Sequence, residues 1–135
     1  MSNDYTAVDR AVHDLTPVIE NLATELWDLA EVSLHEVESE RLVLGALEEL
    51  GFQATSTATA GVATAFVAEW GAGAPVIGLL AEYDALPGLG NAAVPRQEPR
   101  ADGKASGHGC GHNLFGAGVV GAAAALKRVM AEQGL

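Results

Sequence analysis

The sequence predicts an α/β fold, with helices packed on a mixed sheet. Three observations carry this expectation. The first half holds two amphipathic helical patterns. Short apolar runs of strand length fall between residues 52 and 81. A long Gly- and Pro-rich loop then leads into a last helix of small residues. The order helix, helix, strands, loop, helix is that of a layered structure around one core.

Thr16-Pro17 reads as the start of the first helix, since threonine caps and proline fits the first helical position. Val18, Ile19, Leu22, Leu26, Leu29 and Ala30 then recur at helical spacing, with Trp27 beside the stripe. A second helix is expected from Ser39 to Leu50, with Leu42, Val43, Ala46, Leu47 and Leu50 inward and Gly51 as its stop. Phe52 to Thr57 and Ala65 to Trp70 read as strands. Val76-Ile77-Gly78-Leu79-Leu80-Ala81 is a continuous apolar run, as expected of a strand covered on both faces. Residues 84–112 form a loop too long to be a mere connection. Asn113 is placed to cap a final helix from Leu114 to Gln133, whose glycines at 116, 118 and 121 imply close approach to another backbone.

The net charge of −11 excludes a nucleic-acid binder, which needs a basic surface. Twelve of the 18 acids lie within residues 1–50, which reads as the solvated face of surface helices or as a docking face for a basic partner. No apolar run is expected to reach the roughly 20 residues that span a bilayer, so no membrane association is expected. The polar N-terminus has no leader pattern. A single cysteine makes no internal disulfide, and the expected compartment is the reducing cytoplasm.

That cysteine lies in GHGCGHN, residues 107–113. In an extended segment Cys110 and His112 face the same way, and a thiolate and an imidazole bind zinc at about 2.3 and 2.0 Å. The glycines let the backbone come close to an ion. The remaining ligands must come from elsewhere, and Glu82-Tyr83-Asp84 at the carboxyl end of the apolar run is the nearest source. Plainer readings stand beside this one. A lone cysteine is commonly a small buried hydrophobe, and Glu82 and Asp84 serve equally as loop caps. The glycine turn before a helix is also a place for a phosphate, although the lysine of a P-loop is missing. His13 and His35 read as surface or core-edge residues.

Taken together, VIGLLAEYDALPGLG (76–90) and GHGCGHN (107–113) resemble the M20 family of metal-dependent amidohydrolases and peptidases. Within it they look closest to the aminobenzoyl-glutamate hydrolase branch. ELWDLAEVSLHEVESERLVLGALEELGF and TAFVAEWGAGAPVIG resemble that branch too, so the likeness runs from about Leu15 to Leu126. The resemblance implies that residues 1–135 are the N-terminal part of a zinc-peptidase-like catalytic domain, with a lid or dimerisation domain and the rest of the catalytic domain absent. It implies two divalent ions, zinc or manganese. Cys110 and His112 match the family's ligands, and Asp84 matches an acid that orients a ligand. Glu82, His108 and Asn113 are candidates for supporting the ligands from behind. Residues 91–106 look like an insertion between the motifs.

The activity so implied is hydrolysis of the amide bond in N-acyl amino acids, aminobenzoyl-glutamate-like compounds or dipeptides. The full-length form is expected to pair with itself or a sister subunit. The family's general-base glutamate pair has no counterpart after Cys110, so this chain alone is expected to be inactive. The alternative is a non-catalytic metal-binding or interaction module built on the same fold.

Overall fold

The computed structural model describes residues 5–56, 58 and 61–135. Its elements are α1 (Thr6–Leu29), α2 (Val37–Glu49), β1 (Gln53–Ser56), β2 (Phe66–Glu69) and α3 (His112–Gln133). β1 and β2 pair antiparallel, with Gln53 opposite Glu69 and Ser56 opposite Phe66. The α/β class holds in this modest form: three helices and one two-stranded antiparallel sheet among the described residues. Ser56 ends β1, and Thr57, the last residue of the expected strand, lies outside the described residues.

α3 lies along α1, and the two share a core at both ends. Leu22, Ala23 and Leu26 of α1 meet Val43 and Leu47 of α2 and Ala117 and Val120 of α3. Further back, Ala11 and Leu15 meet Ala124, Ala125 and Val129. This second cluster explains the first correction. The helix starts at Thr6, ten residues before Thr16, and Pro17 lies inside it. Proline removes one backbone bond from a helix interior. Burial of Ala11 and Leu15 outweighs that loss, and Thr16 donates its hydroxyl back to the Val12 carbonyl instead of capping. Val18, expected inward, is exposed. α2 agrees with its expectation, with Val43 and Leu47 buried and Leu42, Ala46 and Leu50 packed at the margin.

The second correction concerns residues 76–81. They form no strand, and Val76 and Leu80 are 88% and 86% exposed. An apolar run becomes a covered strand only when neighbours supply hydrogen bonds on its edges and side chains on its faces. Neither is present among the described residues. α3, by contrast, is long and apolar enough to cross a membrane by length and composition. Sequence composition therefore does not exclude a span as expected. In this fold the small-residue face of α3 packs on α1. A Cβ on Gly121 would run into Ile19 Cδ1, and one on Gly116 would lie 3.2 Å from the Glu82 carbonyl oxygen. The expected close approach is real at these two positions, while Gly118 faces open space.

The 84–112 loop is tied down throughout. Leu86 and Gly107 exchange two backbone hydrogen bonds of 3.0 Å, and Gly90 N–H donates to Ala105 at 2.8 Å. Its side chains complete the end of α1. A helix leaves its last four carbonyls without partners, and α1 has no basic residue in its last turn. Arg100 donates to the Trp27 and Asp28 carbonyls at 3.0 and 3.2 Å. Lys104 reaches Asp28 and Leu29, and Ser106 reaches Ala30. Asp102 holds the guanidinium from the other side, and that contact pulls its own carboxyl down to about 2. α2 is completed in the same manner from α3. Lys127 donates to the Leu50 and Gly51 carbonyls and lies over the Phe52 and Trp70 rings.

Two pairs of substitutions follow. Arg100→Met is expected to lower stability by about 2–4 kcal/mol, since it strips several charge-assisted bonds from a buried guanidinium. Arg96→Met, which cuts an exposed pair with Glu98, should stay within about 0.5 kcal/mol. Gly118→Ala should add up to about 1 kcal/mol of helix propensity. Gly121→Ala should instead cost about 1 kcal/mol, because crowding of Ile19 outweighs the same gain. Urea melts of the four variants, read by far-UV circular dichroism, check both contrasts.

Candidate metal centre

The residues expected to carry chemistry reach one place by different routes. Glu82 and Asp84 flank Tyr83 just after the apolar 76–81 run. His112 is the first residue of α3. It follows Gly111, whose φ of +85° turns the chain sharply into the helix. The side chains of Glu82, Asp84 and His112 offer donor atoms that all lie within 4.8 Å of one another. They line a cleft of about 340 Å³ together with Ser33, Glu36, Thr64 and Tyr83.

The geometry around the imidazole is specific. His112 Nδ1 lies 2.7 Å from Asp84 Oδ1, and a carboxylate only accepts, so Nδ1 carries a proton. In the neutral ring Nε2 then carries the lone pair, and it lies 3.1 Å from Glu82 Oε2. A bare nitrogen and a carboxylate oxygen repel at that distance. A proton on Nε2 satisfies the contact, and a cation between the two atoms does so equally. Two ligands held at about 2.0–2.2 Å from one ion are separated by about 3 Å at angles near 100°. Asp84, which the resemblance expects to orient a ligand, lies against Nδ1 of His112. Glu82, expected behind the ligands, lies against Nε2 of the same ring.

Cys110 is exposed, and its sulfur is not part of this group. The reason is local. Residues 109–110 form a bend and Gly111 is left-handed, so the alternation of an extended chain does not apply between 110 and 112. The glycines before it serve the protein's own packing. A Cβ on Gly107 would collide with the Leu89 carbonyl oxygen, and one on Gly109 would meet the Leu89 side chain at 2.6 Å.

His108 and Asn113 turn towards α1. His108 is 6% exposed and donates from Nε2 to the Leu26 carbonyl at 2.9 Å, beside the Trp27 ring. Its buried Nδ1 has no hydrogen-bond partner among the described residues. Burial lowers its pKa from the usual histidine value, with the Leu26 bond acting in the opposite direction. Asn113 does not cap α3. It is buried and donates to the Ala23 carbonyl at 3.1 Å, and Gly111 occupies the cap position. Both residues hold the motif against α1, and neither belongs to the Glu82–Asp84–His112 group. His13 and His35 are exposed, as expected.

Sequence reasoning missed the opposite wall of the cleft. Glu36 and Thr64 are both buried, and the Thr64 hydroxyl donates to Glu36 Oε2 at 2.6 Å. Tyr83 donates its hydroxyl to the Thr64 carbonyl, and burial followed by the nearby Glu36 and Glu40 charges raises its pKa. Glu36 opens the acidic stretch before α2 and reads there as one more surface charge. No periodic signal separates it from its exposed neighbours.

The chain is 37% identical over 134 residues to a p-aminobenzoyl-glutamate hydrolase subunit of Escherichia coli (strain K12). The match takes in 99% of this chain and 28% of that relative, so the chain spans little more than a quarter of the relative's length. The resemblance read from the two motifs holds along the whole chain. No protein-family model and no solved structure matches it.

The depressed His108 pKa makes stability depend on pH. The unfolded chain takes up a proton near the ordinary histidine value of about 6.5, and the folded chain does so only at lower pH. The contribution is complete above that value and is lost as pH falls through the folded one. The stability difference between pH 7.5 and pH 5.5, measured by urea unfolding, should therefore shrink in His108→Gln. An unchanged difference would remove His108 as its source.

Proposed function

We propose that this chain is the metal-holding part of an M20-type catalytic domain of zinc-peptidase-like α/β fold. The whole protein would hydrolyse the amide bond of an N-acyl amino acid, an aminobenzoyl-glutamate-like compound or a dipeptide. The observation that carries the proposal is the His112 ring, fixed through Nδ1 by Asp84 with Nε2 turned to Glu82 in an open cleft. The relative's name, a hydrolase of p-aminobenzoyl-glutamate, supports the reaction class.

An imidazole beside carboxylates suits zinc or manganese. His112 and Glu82 would hold an ion, and Cys110 is the further thiolate candidate on the adjoining turn. Bound divalent ions supply Lewis acidity and a water of lowered pKa. The protein residues have separate tasks. Asp84 keeps the Nδ1 proton in place, so that the Nε2 lone pair faces the cleft. In the reaction a water oxygen bonds to the carbonyl carbon, the carbon–nitrogen bond breaks, and the water's proton passes to the leaving amine. The group that carries this proton would belong to the remainder of the protein, so the 135-residue chain is expected to turn nothing over. The relative's being one subunit of a hydrolase supports assembly with a like or sister chain. The exposed single thiol suits a reducing compartment such as the cytoplasm.

Cobalt titration of the chain tests the reading. Wild type should give saturable d–d absorbance, with the loss of about tenfold or more in affinity for His112→Ala and for Glu82→Ala. A thiolate-to-metal band removed by Cys110→Ser would add the sulfur to the ligands. Absence of saturable binding to the wild-type chain, or affinity untouched by His112→Ala, would sink the proposal.

A further inference from the structure

The segment that bears Glu82 and Asp84 lacks the usual supports. Residues 76–81 have no strand partner among the described residues, and Val76, Ile77, Leu79 and Leu80 are exposed. Whatever fixes the two acids must act at residue 83 or just after it. Downstream, Ala85 N–H donates to the Glu31 carbonyl at 2.7 Å. At 83 the anchor is a side chain. The Tyr83 ring stacks on Phe66 of β2 with centroids 6.0 Å apart, and its hydroxyl donates to the Thr64 carbonyl. The Thr64 hydroxyl in turn donates to Glu36, at the start of α2. On the far side Gly116 brings α3 against the same stretch, where even a methyl would press on Glu82 O and Tyr83 Cβ.

We propose that Tyr83 is a positioning residue: its hydroxyl, held through Thr64 by Glu36, sets the chain so that Glu82 and Asp84 meet the two nitrogens of His112. Glu82 and Asp84 alternate with Tyr83, so a rotation or slip at 83 displaces both acids together. The two contacts of 3.1 and 2.7 Å leave little room for such a slip. A remote hydroxyl and a buried carboxylate thereby act on the metal group without touching it. Outer partners of this kind are commonly worth 10- to 100-fold in metal affinity. The role in metal binding rests on the proposed metal site. The effect on the Asp84–His112 bond does not.

Two readouts on the 135-residue chain keep these apart. The first uses no metal: exchange of the His112 Nδ1 proton with water, followed by NMR. Tyr83→Phe keeps the ring and removes the hydroxyl, and it should speed exchange about tenfold or broaden the signal away. The second is cobalt affinity, which should fall about tenfold in the same variant. Thr64→Ala cuts the link one step back and should give a smaller loss in the same direction. Phe66→Leu removes the stacked ring and keeps the hydroxyl bond. It should lower the melting temperature and leave both readouts near wild type. Unchanged proton exchange in Tyr83→Phe would overturn the proposal, as would an equal effect from Phe66→Leu. If Tyr83→Phe does not fold, Thr64→Ala decides by the same criterion. Wild-type chain that shows the proton effect and binds no cobalt would retain the positioning role and defeat the metal reading alone.

Discussion

The carbonyl end of α1 is the constraint on which the rest of the structure depends. Seven successive carbonyls, from Leu26 to Val32, need partners where the helix stops. All receive them: Leu26 from Ala30 N–H and His108, Trp27 and Asp28 from Arg100, Leu29 from Lys104, Ala30 from Ser106, Glu31 from Ala85 N–H, and Val32 from His35 N–H. Most of the donors come from residues 85–108. A buried carbonyl without a partner costs roughly 1–3 kcal/mol, so the long loop is required to lie where it does. Its path brings GHGCGHN to the end of α1 and starts α3 there.

Charge distribution has the same logic. Residues 1–50 contain twelve acids and two basic residues, Arg10 and Arg41. The helices in this half therefore end without local cations to oppose their dipoles. Arg100, Lys104 and Lys127 supply them from the other half. Some acids serve the opposite pole. Glu31 accepts from the Glu38 and Ser39 amides at the start of α2, although it lies outside that helix. The acids of the first half and these three cations of the second are two parts of one arrangement.

The cleft inherits its shape from this framework. α3 is set by His108 and Asn113 against α1, and Gly116 lets it approach residues 82–83. His112 then faces Glu82 and Asp84 without a strand beneath them. Support comes instead from the Glu36–Thr64–Tyr83 chain on the other wall. Rigidity at such a group depends on how its neighbours are locked, more than on the ligands themselves.

The sequence by itself determined the helical stripes of α1 and α2, the two strand segments and the family likeness. These follow from local periodicity or from short motifs, where the deciding residues are neighbours in the chain. Tertiary structure alone decided the early start of α1, because Ala11 and Leu15 are buried by α3 more than a hundred residues away. It also decided that Val76 to Ala81 has no strand partner among the described residues, that Glu82 faces Nε2 of His112, and that Cys110 is exposed on a bend. Asn113 reads as a cap and becomes a buried donor to Ala23 for the same reason. A residue's type states which contacts it is able to make, while the partners brought to it by packing decide which of them form.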